Sequence, residues 1–413
     1  MEVTKRYETT LVSMFFVAWG SVFLDRTAEL YLAPYFAPQF HINSTQIGML
    51  ASATSITWAI SCLLFGALSD RIGRRAILIQ STFAFSVFSW ISGLAQNFDQ
   101  LLLIRAVMGI AGGAFFAVMS TILEESSPPT RRGRNVGIVV SAASLVGWAV
   151  SPILATQIAA HYSWRWAFFA AGVPGVIIGF LMWKFVKEPE RHAEGSGHAQ
   201  AKTKLADYFQ VLRYRNMWLA AFAAAGTIGW LFLQNVFAPI YITKVLHQPG
   251  TTAGLLLGAS GLGSFVLGFI FPAISDRIGR KETLLILAAL STVVPIAMYI
   301  PALYNHLWLL AAILFLANGH QAILALVLVL VPTESVPRGL AGTAVGLSTL
   351  VGELFGATLM PTLGGALAVR YGLGFTLWMS AGGTALVFLL ALFLKKSGSP
   401  ELGVPAPHAA VAG

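Results

Sequence analysis

Ser69-Asp70-Arg71-Ile72-Gly73-Arg74 lies between two apolar runs, and the same six residues return as Ser275-Asp276-Arg277-Ile278-Gly279-Arg280. The copies stand 206 positions apart in a chain of 413 residues, half its length. Each follows an apolar stretch with Gly or Pro near its end (Phe65-Gly66-Ala67-Leu68; Phe271-Pro272-Ala273-Ile274) and each leads into another. A short charged hexamer broken by glycine and flanked by apolar runs reads as a tight loop between two membrane helices. Its return half a chain later predicts a duplicated helical bundle.

The composition supports that reading. Charged residues make up 10 % of the chain and apolar residues 56 %, where a soluble domain carries roughly 25 % charged residues. Twelve apolar blocks are each long enough to cross about 30 Å of hydrocarbon. They span about 11–36, 46–68, 76–96, 100–123, 135–159 and 164–186, then 216–241, 251–274, 283–301, 306–331, 340–364 and 373–394. The expected fold is an all-α polytopic membrane protein. Unbroken runs, rather than alternation, exclude a β-barrel. The expected division is an N-terminal six-helix half at 1–186, a linker at 187–215, a C-terminal half at 216–396 and a tail at 397–413.

The net charge of +9 is a topology signal and not a nucleic-acid footprint. With the N-terminus placed inside, 21 of the 26 Lys and Arg residues fall in cytoplasmic segments, while Arg165, Lys244 and Arg370 fall opposite. That bias puts both ends in the cytoplasm, with the chain in the inner (plasma) membrane. Arg26 and Arg105 fall inside apolar blocks. The lone Cys62 excludes an internal disulfide and reads as a small buried hydrophobe. Lys5 and Arg6 precede a first block with no small-residue cleavage site, so that block reads as a retained helix. Gly109, Gly112 and Gly113, and Gly342 and Gly346, are expected to allow close helix contact. Pro34, Pro152, Pro239 and Pro361 are expected to kink their helices.

Twelve helices in two halves, with Gly66-Ala67-Leu68-Ser69-Asp70-Arg71-Ile72-Gly73-Arg74-Arg75 between blocks 2 and 3, resemble the major facilitator superfamily over almost the whole chain. The second hexamer falls at the equivalent loop, and Arg105-xxx-Gly109 is similar to the family's block-4 pattern. The resemblance implies that the loop is a conformational latch. Asp70 then sits against the N-terminal end of block 11, and Arg71, Arg74 or Arg75 pairs with Glu124 or Glu125. Gly73 permits the turn. Asp276, Arg277 and Arg280 form the second copy.

Charges inside hydrocarbon are costly and point to function. Asp25, Arg26 and Glu29 are spaced to share one face of block 1. Arg105 in block 4 falls at a similar depth. Two arginines facing one cavity suit a carboxylate or a phosphate. In the alternative, Arg26 neutralises Asp25 or Glu29, and Arg105 is a structural gate. Asp25-Arg26 and Arg105 resemble the anion:cation symporter branch, in which the block-1 acid serves the proton path and the arginines hold the anion. That branch usually carries an acid seven residues after the block-4 arginine, where this chain has Gly112. Glu29 can supply the missing carboxylate.

The second half offers Gln234 and Asn235, then Asn318 and Gln321, as substrate hydrogen-bonding groups or helix glue. His320 and Glu353 are its candidate protonation sites, and Glu334 reads as a gate or cap. Tyr31, Tyr35, Phe115, Phe116, Trp148, Trp230 and Phe237 are aromatic candidates for a lining or for packing. The chain contains no nucleotide-binding loop and no nucleophile–base or His-Glu-x-x-His pattern, so it reads as neither ATP-driven nor an enzyme. The expected function is proton symport importing a small organic anion, a carboxylate or aromatic acid, with no cofactor and no metal. The expected partners are the anion, protons and the lipid bilayer, with no nucleic acid, and the chain is expected to be a monomer. The alternative is a proton-coupled efflux antiporter. Its block-5 glycine and proline motif is only partly matched by Gly147-xxx-Ser151-Pro152. A non-transporting membrane sensor would need an added soluble signalling domain, and the tail after Lys396 reads as too short and too rich in Pro, Ala and Gly to be one.

Overall fold

The computed structural model describes residues 5–128, 130–188, 210–337 and 340–395, with the side chains of Lys5, Ala67, Asp70 and Arg71 outside the described set. Most of the expected linker and all of the expected tail therefore lie outside the described residues, as do the latch side chains of Asp70 and Arg71. Twelve helices are long and apolar enough to span a membrane: α1 (Lys5–Phe40), α2 (Ser44–Ile72), α3 (Arg74–Leu94), α4 (Phe98–Ser126), α5 (Arg132–His161), α6 (Trp164–Phe185), α7 (Arg215–Lys244), α8 (Gly250–Ile278), α9 (Arg280–Tyr299), α10 (Leu307–Glu334), α11 (Ala341–Tyr371) and α12 (Gly374–Leu392). No strand occurs among the described residues. Leu63, Leu103 and Phe180 are among the large apolar side chains left exposed on the outer surface, where lipid is their natural solvent.

The duplication is visible in the backbone. Gly73 and Gly279 both take positive φ, at 114° and 103°, and each begins the next helix directly. His41 and His247 stand at the same 206-residue offset and are the two non-glycine residues with positive φ among those described, at 53° and 52°. The repeat thus extends beyond the hexamers to the ends of α1 and α7.

Three helices widen just before a proline. Ser151, Val331 and Met360 donate their amides five residues back, to Val146, Leu326 and Phe355. Pro152, Pro332 and Pro361 follow at once. A proline cannot donate and crowds the preceding turn, and a π turn relieves both problems.

Two compact units emerge, divided differently from the two halves of the sequence. The first comprises Met1–Arg191, Asn235–Leu262 and Pro361–Leu373; the second comprises His192–Gln234, Gly263–Met360 and Gly374–Gly413. In the first unit, Phe15, Trp19, Phe85, Phe115 and Met119 form the apolar core. A Cβ on Gly109 or Gly113 of α4 would collide with the Thr54 or Trp58 carbonyl of α2, so these helices touch backbone to backbone. Gly342 and Gly346 of α11 differ from the expectation: a Cβ there meets nothing within 4 Å. The second unit packs Ala224, Leu287, Ile323, Leu326 and Val387.

Candidate functional site

Asp25, Glu29 and Arg105 meet inside the first unit with exposures of 0, 2 and 0 %. Arg105 Nη1 donates to Asp25 Oδ2 at 3.1 Å, and Arg105 Nε lies 3.2 Å from Glu29 Oε2. The second contact is an ion pair without hydrogen-bond alignment, since Nε and Nη2 of Arg105 and Oε1 of Glu29 have no hydrogen-bond partner. The guanidinium also covers the Phe168 ring at 4.4 Å. Asp25 and Glu29 reach one partner because they lie four residues apart on α1. Both acids come from another helix, so nothing near Arg105 in sequence announces them.

The cluster holds one more carboxylate than guanidinium. Counting these three side chains alone, a bound proton would make them neutral, while the half-buried Arg26 adds its attraction for Glu29. Ser89 of α3 bears on where that proton sits. Its hydroxyl contacts both Asp25 Oδ1 and the Phe168 carbonyl, the latter at 2.7 Å. A hydroxyl has one proton to donate, and both neighbours are acceptors when Asp25 is ionised. A protonated Asp25 completes the chain, donating to Ser89 while Ser89 donates to Phe168.

Arg26 also attracts Glu29, but its close ring and hydrogen-bond contacts differ from those of Arg105. It is half-buried, donates to Ser55 Oγ at 3.3 Å, and lies over the Trp58 ring at 4.3 Å and the Phe23 ring at 5.6 Å. Trp19, Phe23, Trp58 and Phe116 form an aromatic cluster around this point. Gly112 is part of the same arrangement. A Cβ at Gly112 would approach Cε3 of Trp58 to 2.7 Å, so the indole fills the space beside the position where the symporter branch carries an acid. Neither Ser89 nor Trp58 stood out in the sequence, where each reads as ordinary helix composition.

The remaining candidates separate. Asn235 accepts from the Tyr31 hydroxyl at 2.9 Å in the first unit. Gln234 is buried in the second. Asn318 and Gln321 flank a break in α10, where Asn318 Oδ1 accepts from the His320 amide at 3.1 Å and the Gln321 amide donates to Ser264 at 3.1 Å. His320 is buried against Trp230. Glu353 is half-buried in the π turn of α11.

At the helix ends, Arg74 pairs with Glu125, while Glu124 and Arg277 are exposed. In the second copy Arg280 bonds Glu334 at 2.8 Å and Asp276 at 2.6 Å. Two contacts were missed from sequence. Glu188 accepts from the Arg74 and Arg75 amides at 2.8 and 2.9 Å, and the buried Glu8 takes both Arg131 and Asn135. Glu8 precedes the apolar run that starts near residue 11, whereas α1 itself starts at Lys5 and carries Glu8 in its first turn.

The Major Facilitator Superfamily model matches residues 14–358 and 234–411. The chain belongs to the major facilitator superfamily. It is a multi-pass membrane transporter, similar along most of its length to several curated members. The cis,cis-muconate transport protein of Acinetobacter baylyi is 29 % identical, over 89 % of this chain and 91 % of that protein. A probable 4-methylmuconolactone transporter of Cupriavidus pinatubonensis is 28 % identical over 82 and 79 %. The hexuronate transporter of Bacillus subtilis is 27 % identical over 66 and 67 %. Among solved structures, a bacterial homologue of the human lysosomal transporter Spinster has the same fold, with TM-score 0.77 at 18 % identity, covering 94 % of this chain and 98 % of that one.

Proposed function

We propose that this facilitator is a proton-coupled symporter importing a small organic anion by alternating access across the inner membrane, with both termini cytoplasmic. The observation that carries the reading is the sealed Asp25–Arg105–Glu29 cluster, with Ser89 poised between two acceptors. It binds one proton at no net buried charge. An interior-negative membrane opposes anion entry by about 2.3 kcal/mol per charge per 100 mV, so import requires at least one accompanying cation, and this cluster supplies a place for it.

Arg26 holds the anion. Its guanidinium lies against the Trp58 face and donates to Ser55, and a planar guanidinium matches a carboxylate in shape and charge. Arg105 has a different duty: it keeps Asp25 and Glu29 tolerable in a dry interior and releases part of that load when a proton arrives. Organic-acid substrates are supported by the muconate, muconolactone and hexuronate transporters to which the chain is similar.

The test is uptake of labelled cis,cis-muconate and D-galacturonate by purified protein in proteoliposomes under an imposed pH gradient, acid outside. Concentrative uptake that collapses with a protonophore is expected, as is its loss in Arg26→Ala. Accumulation driven equally well without a pH gradient or membrane potential, or faster export than import of these acids, refutes the reading.

A further inference from the structure

The apolar run of α10 is interrupted at Asn318-Gly319, where one helical segment ends at Ala317 and the next starts at His320. Such a break frees backbone donors in a dry setting, and here three of them are taken by side chains. The Gly319 amide donates to Ser291 Oγ, the His320 amide to Asn318 Oδ1 and the Gln321 amide to Ser264 Oγ, all at 3.1 Å. These three amides are therefore not available to a ligand. What the break achieves is the placement of a side chain.

That side chain is His320, 1 % exposed, its ring stacked on Trp230 with centroids 5.5 Å apart. Neither ring nitrogen has a hydrogen-bond partner. The same holds for Trp230 Nε1 and for Gln234 Oε1, one turn further along α7. The helix is held there by Ser380, which donates to the Trp230 carbonyl at 3.0 Å. Each buried polar atom left unpartnered costs about 1–3 kcal/mol, so three side chains of the second unit share a deficit that a bound group would relieve.

Their chemistry names the group. Trp230 only donates, Gln234 Oε1 accepts, and a neutral histidine does one of each. The described Lys and Arg residues of the second unit, Arg213, Arg215, Arg277, Arg280, Lys281 and Lys395, lie at or beyond helix ends. A carboxylate at the cluster would bring a charge that this unit does not neutralise. A hydroxyl donates and accepts together and leaves no charge behind.

We propose that Trp230, Gln234 and His320 form a recognition site for hydroxyl groups of the carried acid. Resting on the organic-anion reading above, this makes the preferred substrate class hydroxylated monocarboxylates of the hexuronate or hexonate type, ahead of unsubstituted dicarboxylates.

The experiment compares kcat/KM for D-galacturonate, L-galactonate and cis,cis-muconate in proteoliposomes. The wild-type protein is expected to favour the two hydroxy acids by tenfold or more. His320→Phe keeps the stacked ring and deletes both nitrogens, and losing one to two hydrogen bonds lowers the galacturonate-to-muconate ratio about tenfold. His320→Asn restores part of the ratio, and Gln234→Leu gives an independent second reading should His320→Phe fold poorly. A wild-type preference for muconate, or variants that lower all three acids alike, overturns the site while leaving organic-anion transport standing. A folded wild-type protein that carries none of the three refutes the organic-anion reading, and the site with it.

Discussion

Replacing Arg105 by Gln tests the buried cluster most directly. Its Nη1 and Nε stand 3.1 and 3.2 Å from carboxylate oxygens of Asp25 and Glu29. At an effective dielectric of roughly 20, each attraction is about 5 kcal/mol. The cost of drying the guanidinium, several kcal/mol, offsets much of it. What remains after truncation is dominated by two carboxyl groups with no countercharge, and removing one partner of a buried pair typically costs about 3–5 kcal/mol. Against a total stability of about 5–15 kcal/mol, that is a large share. Thermal unfolding of purified protein in detergent should show Arg105→Gln melting several degrees below wild type. Glu29→Gln removes the surplus charge and should lie within about 1 kcal/mol of wild type. The double variant should then recover at least about 1 kcal/mol relative to the sum of the single effects. An Arg105→Gln protein as stable as wild type, or strictly additive changes, would refute the picture of one guanidinium holding two acids.

Asp25→Asn places an amide donor toward Ser89, as the protonated acid does, and so imitates the proton-loaded state; counterflow exchange should survive while gradient-driven accumulation disappears. Trp58→Leu deletes the ring under Arg26, a contact worth about 0.5–2 kcal/mol, and should raise KM roughly 2- to 30-fold in uptake assays with the coupling to pH intact. Gly109→Val forces α2 and α4 apart and should cost about 1–3 kcal/mol in detergent melts. Gly342→Ala, which meets open space, should be neutral or stabilising by up to about 1 kcal/mol.

Much of the fold could be read before any coordinates. Apolar blocks of the right length, the paired hexamers and the charge bias are properties of the chain itself, and they locate twelve helices and their repeat. Asp25, Arg26, Glu29 and Arg105 were equally visible, because an ionisable residue inside an apolar run stands out against its surroundings. Which acid meets which arginine could not be read, since partners on α1 and α4 are distant in sequence. Ser89 and Trp58 carry no mark at all, as a serine or tryptophan in a membrane helix is ordinary until its neighbours are known. The break in α10 had a signal in Asn318-Gly319, a dipeptide that often ends regular structure, but the apolar run on either side masked it. The π turns had a clearer one, since each stands before a proline.

Asp25 and Arg26 are neighbours in the chain and point about 100° apart around α1, one toward Ser89 and Arg105, the other onto an indole. Because Trp58 stands beside Gly112, where an acid might have been, the platform under Arg26 is a ring that neither gains nor loses hydrogen ions. On the proposed reading, messages between cargo and ion would travel through the helix that both residues share. A swivel of α1 that draws one of them from its seat must turn the other as well, a crank more than a wire.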